Sequence, residues 1–258
     1  MLKEERHQFI LELLHKEGKL IATELSARLN VSEDTIRRDL RELSALGALH
    51  RVHGGALKKG PSTVKFEEKY KQAPEAKASI AQAALNLVHH DQVLIIDGGT
   101  TPLAFAQALP ADLKATVITN SPPVAVSLAS HANIEVIMLG GNLFKDSLIN
   151  IGAQTIEELH HIRADLYIMG AYSVHPQIGI SIPNREEAFI KRKMVHVSAE
   201  TVVLAEAHKL GTASTFIVAN MDEISYLATE PHVSRDVLAQ YEQLGVTVLQ
   251  QEKTPSSF

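Results

Sequence analysis

Val31-Ser32-Glu33-Asp34-Thr35-Ile36-Arg37-Arg38-Asp39-Leu40-Arg41-Glu42-Leu43, followed shortly by Leu49-His50-Arg51-Val52-His53-Gly54-Gly55-Ala56, decides how the N-terminal part of this chain folds. Ile36, Leu40 and Leu43 stand at i, i+4 and i+7 and share one helical face, while Asp34, Arg37, Arg38 and Arg41 share the opposite one. Ser32 stands where a helix needs an N-cap. The spacing therefore predicts a helix from Glu33 that is apolar inside and mostly arginine outside. Upstream, Ile10, Leu13 and Leu14 mark a first helix closed by Gly18, and Leu25 and Leu29 mark a second over residues 21–29. Asn30-Val31-Ser32 is the turn between the second and third. Two helices joined by a turn of about three to four residues form the unit that places a basic helix in a DNA major groove. Arginine suits that position, because its planar fork grips a phosphate or a guanine edge with two hydrogen bonds. Residues 50–56 then read as a short strand and glycine turn, a basic β-loop able to lie along the DNA backbone or minor groove. A helical hairpin with merely solvated arginines is the plainer alternative, and the order of elements argues against it.

The charge distribution agrees. The 258-residue chain has a net charge of -5 and no cysteine, so no disulfide framework or thiolate chemistry is available. Residues 1–60 carry eleven Lys and Arg against nine Asp and Glu, a net of +2, which leaves -7 for the rest. Within residues 35–60 six basic side chains (Arg37, Arg38, Arg41, Arg51, Lys58, Lys59) face two acidic ones (Asp39, Glu42). Such a local excess is what phosphate contacts require. No stretch approaches the roughly 20 apolar residues of a membrane span, and the charged N-terminus has no secretory signal. The expectation is a soluble, cytoplasmic protein with no membrane association.

Lys58-Lys59-Gly60-Pro61-Ser62-Thr63 breaks both periodicities and marks a domain boundary. The expected organisation is a DNA-binding domain over 1–58, a linker over 59–75, a second domain over 76–252 and a disordered tail over 253–258. Residues 67–88 read as helical. Beyond them, β-branched runs at 93–96, 116–118, 135–139, 166–169, 201–204, 224–228 and 246–249 alternate with helical segments, the signal of an α/β fold with a mainly parallel sheet. Small or polar clusters follow five of the runs: Asp97-Gly98-Gly99-Thr100-Thr101, Thr119-Asn120-Ser121, Gly140-Gly141-Asn142, Gly170-Ala171 and Glu206-Ala207-His208-Lys209. In an open α/β sheet these fall on the carboxyl edge, where ligands bind. The first cluster suits a phosphate: glycines admit backbone amides, two threonines add hydroxyls, and Pro102 opens a helix whose N-terminus favours an anion. It lacks the spacing of a dinucleotide fingerprint and the Gly-Lys-Ser/Thr end of a triphosphate loop, so neither NAD nor ATP is indicated. Lys209 is the expected cation opposite the phosphate.

The stretch quoted first, together with Ile95 to Thr101, Val117 to Ser121, Leu139-Gly140-Gly141 and Val203 to Gly211, resembles the successive motifs of the DeoR family of bacterial regulators over nearly the whole chain. The resemblance implies a winged helix-turn-helix, generally a repressor, with Thr35, Arg37 and Arg38 on the recognition helix and Arg51 and His53 in the wing as DNA-contacting positions. Ser32 and Arg41 are included with them. It also implies a sensor domain similar in fold to ribose-5-phosphate isomerase and the CoA-transferases, whose usual effectors are sugar phosphates. Glu187-Ala188 and Lys191-Arg192 match a further helical motif of the family. The effector-binding set expected is Asp97, Gly98, Gly99, Thr100, Thr101, Asn120, Ser121, Gly140, Gly141, Glu187, Lys191 and Lys209. Two departures bear on the ligand: Glu206-Ala207-His208 stands where the family often has an Asp-Ser pair, and Tyr172-Ser173 stands where a glycine-rich turn is usual.

Thirteen histidines raise the question of a metal. The adjacent pairs His89-His90 and His160-His161 point apart on any regular element, and no carboxylate or cysteine lies at ligand spacing, so neither metal nor cofactor is expected. No Ser-His-Asp order or HExxH motif points to catalysis. The expected function is a non-enzymatic repressor of a carbohydrate-metabolism operon that binds double-stranded operator DNA and a phosphorylated sugar or related metabolite. It is expected to act as a homo-oligomer, dimer or tetramer. The alternatives are an isomerase-like enzyme with a helical appendage and a ligand-independent repressor.

Overall fold

The computed structural model describes residues 1–61 and 64–251; Ser62 and Thr63 of the expected boundary and the expected tail 253–258 lie outside the described residues. The chain begins with helix α1 (Lys3–Glu17), strand β1 (Lys19–Ile21), α2 (Ala22–Leu29), α3 (Glu33–Ala45), β2 (His50–Val52) and β3 (Gly55–Lys59). Ile10 and Leu14 of α1, Leu25 of α2, and Ile36, Leu40 and Leu43 of α3 close on one core, as the helical spacing requires. Gly18 ends α1 in a left-handed conformation (φ +72°), its amide donating to the Leu14 carbonyl at 2.9 Å. Asp39 faces this core and is only 2 % exposed. Arg6 of α1 grips it with two bonds of 2.5 and 3.0 Å and His7 adds a third at 3.0 Å, so a charge-assisted clamp pins α1 to α3. β2 and β3 form an antiparallel hairpin around His53-Gly54, and β1, which periodicity did not reveal, pairs with the other side of β3.

The rest of the chain runs α4 (Phe66–Lys71), α5 (Pro74–Ala84), β4 (Val93–Ile96), α6 (Thr100–Gln107), β5 (Ala115–Thr119), α7 (Pro122–Leu128), β6 (Ile134–Met138), β7 (Asn142–Phe144), β8 (Ile149–Ile151), α8 (Ala153–His160), β9 (Ala164–Gly170) and β10 (Ser173–His175). It continues as β11 (Gly179–Ile182), α9 (Arg185–Val197), β12 (Ser198–Leu204), β13 (Thr212–Ala213), β14 (Phe216–Ala219), β15 (Tyr226–Thr229), α10 (Arg235–Glu242) and β16 (Thr247–Gln250). Seven strands form one sheet in the order β16-β15-β12-β9-β4-β5-β6, every neighbour parallel. These are the seven runs read from the sequence. Successive strand residues enter opposite cores: Ile95, Tyr167 and Met169 pack under α8, α9 and α10, whereas Leu94, Ile96, Leu166 and Ile168 pack under α5, α6 and α7. The molecule is thus a winged helix joined to a three-layer α/β unit.

Residues 67–88 are not one helix. The residue before a proline is pushed out of the right-handed helical region, and Ala73, before Pro74, sits at φ +42°. The break separates α4 from α5, and Lys77 closes it by donating from Nζ to the Lys69 carbonyl at 2.7 Å and to the Gln72 carbonyl. Residues 59–75, read as a linker, therefore hold α4, whose Phe66 is buried in the core under α5 and α6. A three-stranded sheet (β10-β11-β14) and the β7-β8 hairpin stand apart from the main sheet. β13 joins neither; it pairs parallel with β3 of the winged helix.

Candidate functional site

Two surfaces carry chemistry. On α3, Ser32 caps the helix by accepting the Thr35 amide at 3.2 Å, and the two hydroxyls lie 2.9 Å apart. The helix is thereby anchored with its first turn free to approach a groove. Arg37, Arg38, Arg41, Arg51 and His53 are exposed, as read from the sequence. Arg37 bonds Glu33 one turn earlier at 2.9 Å, an exposed pair worth little. Among the described residues Arg38, Arg41 and Arg51 enter no ion pair. Gly54 turns the wing at φ +80°, and a Cβ on Gly55 would lie 2.0 Å from the Leu20 carbonyl oxygen, so the tight β-loop depends on both glycines. The hairpin holds Arg51 and His53 beside α3 as a second projection. The acidic Asp39 is neutralised inside by Arg6 and so does not detract from this basic face.

The second surface lies where the sheet changes winding direction. β5 and β6 lie to one side of β4, and β9, β12, β15 and β16 to the other, so the crevice opens between β4 and β9. There a cavity of about 100 Å³ meets a larger one of about 260 Å³, and Val64, Lys69, Thr100, Ala171, Tyr172 and Lys209 line both. Its floor is the turn from β4 into α6. A Cβ on Gly98 would meet Ile149 Cγ2 at 1.9 Å, and Gly99 has φ +127°, so only glycine fits this turn. The first helical bond of α6 runs from the Leu103 amide to the Gly99 carbonyl at 3.0 Å, and no side chain caps the helix. The amides of its first turn are therefore available to an anion.

Lys191 of α9 reaches under this floor. Its ammonium donates to Asp97 Oδ2 and to the Gly170 carbonyl at 3.1 Å, and lies 3.8 Å from Glu187 Oε1. Asp97 also accepts the Gly98 amide at 2.7 Å and the Gly170 amide at 3.3 Å. The carboxylate thus ties β4 to β9 from behind Lys191, and Lys191, not Asp97, meets the cavity. Glu187 lines it too; burial pushes its carboxyl up, against the pull of Lys191, and the negative Asp97 pushes the same way. Lys69 is held below the usual ammonium range by burial and by the neighbouring Lys209, and among the described residues it has no ion-pair partner. Lys209 bonds Glu206 at 2.9 Å. Burial alone would raise the Glu206 carboxyl, but Lys209 outweighs it and holds it low. Lys77 completes the basic wall of the larger cavity and is itself lowered by burial.

Of the residues expected to bind an effector, Gly98, Gly99, Thr100, Thr101, Glu187, Lys191 and Lys209 come together around the cavity. Asn120 and Ser121 lie behind it: Asn120 donates to the Asn150 carbonyl at 3.0 Å, and Ser121 Cβ stands 3.5 Å from where a Gly98 Cβ would be. Gly140 and Gly141 are elsewhere, seating α8 through the Gly140 amide on Glu158 (2.9 Å) and the Gly140 carbonyl on Thr155 (2.6 Å). Lys69, Lys77, Asp146, Ser147 and Asn184 were not read from the sequence. The one available signal was Pro183-Asn184 before a helical run: the Asn184 side chain caps α9 through the Glu187 amide at 3.0 Å. Among the described residues no group of three or more His, Asp or Glu side chains is placed to hold a metal. No helix of the described residues is long and apolar enough to cross a membrane.

Comparison with known proteins gives two family matches: residues 6–59 match the DeoR-like helix-turn-helix domain, and residues 72–231 match the DeoR C terminal sensor domain. The chain is 34% identical over 253 residues to the HTH-type transcriptional regulator GlpR of Haloferax volcanii, covering 96% of this chain and 98% of that one. It is 32% identical over 227 residues to the glycerol-3-phosphate regulon repressor of Haemophilus influenzae, covering 87% and 88%. Among solved structures, ribose 5 phosphate isomerase A from Neisseria gonorrhoeae matches 56% of this chain and 55% of its own at a TM-score of 0.41 and 18% identity.

Proposed function

The chain belongs to the DeoR family of DNA-binding transcriptional regulators, and on that premise we propose that it is a repressor of carbohydrate-metabolism genes whose affinity for operator DNA is set by a phosphorylated sugar or related metabolite in the β4/β9 cleft. Its relatives are regulators, so the isomerase-like reading is set aside. One observation carries the ligand class: Lys69, Lys77 and Lys209 converge on one wall beside the uncapped first turn of α6 and the Thr100 hydroxyl. Lysines, amides and hydroxyls together answer the charge and the several acceptor oxygens of a phosphoryl group. Glu187 stands across the smaller cavity, where a carboxyl group accepts from sugar hydroxyls. Ser32, Thr35, Arg37, Arg38 and Arg41 of α3 and Arg51 and His53 of the wing are assigned to DNA. The repressor acts in the cytoplasm as a homo-oligomer, because a two-fold assembly matches repeated half-sites one helical turn apart.

Thermal unfolding of the full chain with a panel of sugar phosphates and the same sugars unphosphorylated tests the ligand class. A ligand at about 100 times its Kd stabilises by about 2.7 kcal/mol. Stabilisation by a phosphorylated member and not by its parent sugar is expected. Equal shifts with both, or none with any, would overturn it. A second reading, a repressor that responds to no ligand, has one observation in its favour: Glu206 already pairs with Lys209 and supplies the negative charge there. The flat result in the same panel is what that reading expects.

A further inference from the structure

The wing is physically joined to the wall of the cleft. Three residues after Lys209 the chain enters β13, whose Thr212 and Ala213 stand opposite Lys58 and Lys59 of β3 in a parallel register. Thr212 Oγ1 donates to the Lys209 carbonyl at 2.7 Å, which ties the turn carrying Lys209 to the strand. The Gly60 amide donates to the Ala213 carbonyl at 3.2 Å, and the Lys58 amide to the Gly18 carbonyl at 2.9 Å, which carries the connection on to the end of α1. Beside this rung, Gly60 is closely packed. A Cβ on Gly60 would lie 2.3 Å from Ser173 Oγ and 2.6 Å from Tyr172 Cε1. Tyr172 itself lines the cleft and donates its hydroxyl to the Pro61 carbonyl.

At the other end of this connection, Glu206 holds Lys209 at 2.9 Å across a short 3-10 turn, Ala207–Lys209. Its carboxylate stands beside the lysine that an incoming anion would also seek. Resting on the ligand reading above, we propose that Glu206 is a built-in competitor for the ligand's anionic group, and that when the ligand takes Lys209 the turn relaxes and loosens β13 from β3, resetting the wing. The device is an added strand: the sensor unit contributes one rung to the sheet of the DNA-binding unit, and the rung is fixed to a ligand-binding lysine. A parallel rung of two residues is a weak pairing, which suits an element that must yield.

Amide hydrogen exchange of the full chain tests this, read in residues 55–60 and 210–214 against the central strands β4 and β9, with inorganic phosphate as the probe. In the wild type, phosphate at matched ionic strength is expected to speed exchange in both segments at least about fivefold and leave β4 and β9 unchanged. Glu206→Gln, which keeps the shape and removes the charge, is expected to show the faster exchange without phosphate and to bind phosphate more tightly. Lys209→Gln breaks the same pair from the other side and is expected to show fast exchange that phosphate does not alter. Wild-type protection in both variants would overturn the proposal. So would phosphate that stabilises the wild type thermally while leaving both segments at their resting exchange rate. If neither phosphate nor any sugar phosphate of the panel gives stabilisation, the ligand reading fails, and the strand connection stands or falls on the exchange of the two variants alone.

Discussion

Lys191 and Asp97 are two charges with side chains 3 % and 2 % exposed, and each satisfies the other. Removing one partner strands the other in a low-dielectric floor, which costs about 3–5 kcal/mol. Asp97→Asn is therefore expected to lower the unfolding free energy of the sensor unit, read from urea denaturation, by that amount, and the double change Asp97→Asn with Lys191→Met to recover much of it. The sequence showed Asp97 at the head of a phosphate-type loop but not that Lys191, 94 positions on, folds beneath it and holds the carboxylate off the cavity lining. Lys69 and Lys77 were illegible for a related reason. A single lysine in a helix has no period, and Lys69 of α4 and Lys77 of α5 line the cleft from either side of the break at Ala73. Lys69→Met is expected to abolish stabilisation by sugar phosphates with little effect on the resting thermal midpoint, since the ammonium has no ion-pair partner among the described residues to lose.

At the scale of the element, the recognition helix depends on its inner face as much as on its arginines. Leu40 is 1 % exposed, and Leu40→Ala is expected to cost about 2–5 kcal/mol through the cavity it leaves, measured by urea denaturation. The Asp39 clamp makes a pH prediction. Burial would raise its carboxyl, but Arg6 and His7 outweigh burial and hold it below the ordinary range. A carboxyl lowered by folding contributes fully above its unfolded value of about 3.9, and that contribution is lost as pH falls through the lower folded value. The melting of the winged helix is thus expected to fall steeply below about pH 4 in the wild type, and Asp39→Asn, already lower at neutral pH, to lack that component. Long elements were legible from the sequence because apolar spacing repeats enough to be seen: α1, α3 and all seven strands of the main sheet fell where the pattern put them. β1, β7, β8, β10 and β13 have three residues or fewer, too short for an alternation to register. The helix read across 67–88 failed at the one dipeptide, Ala73-Pro74, that a helix cannot cross unbroken.

For the whole molecule, the two units are linked by more than a tether. Tyr172-Ser173, which from the sequence stood out only as a departure from a glycine-rich turn, packs on Gly60 at the entrance to the cleft. Glu206-Ala207-His208, the other departure, supplies the partner of Lys209. Both departures thus fall on the connection between the cleft wall and the wing, a three-dimensional coincidence that linear order conceals. The division of labour remains separable even so, because α3 and Lys69 lie on different units. The most direct test takes the wild type, Arg38→Ala and Lys69→Met through two assays: retention of DNA from the chain's own promoter region across a salt series, and thermal stabilisation by sugar phosphates. Arg38→Ala is expected to weaken DNA retention and flatten its salt slope by about one while leaving ligand stabilisation intact. Lys69→Met is expected to keep DNA retention and lose ligand stabilisation. If both substitutions impaired both assays to the same degree, a DNA-reading unit governed by a distinct anion-binding cleft would be the wrong description of this protein.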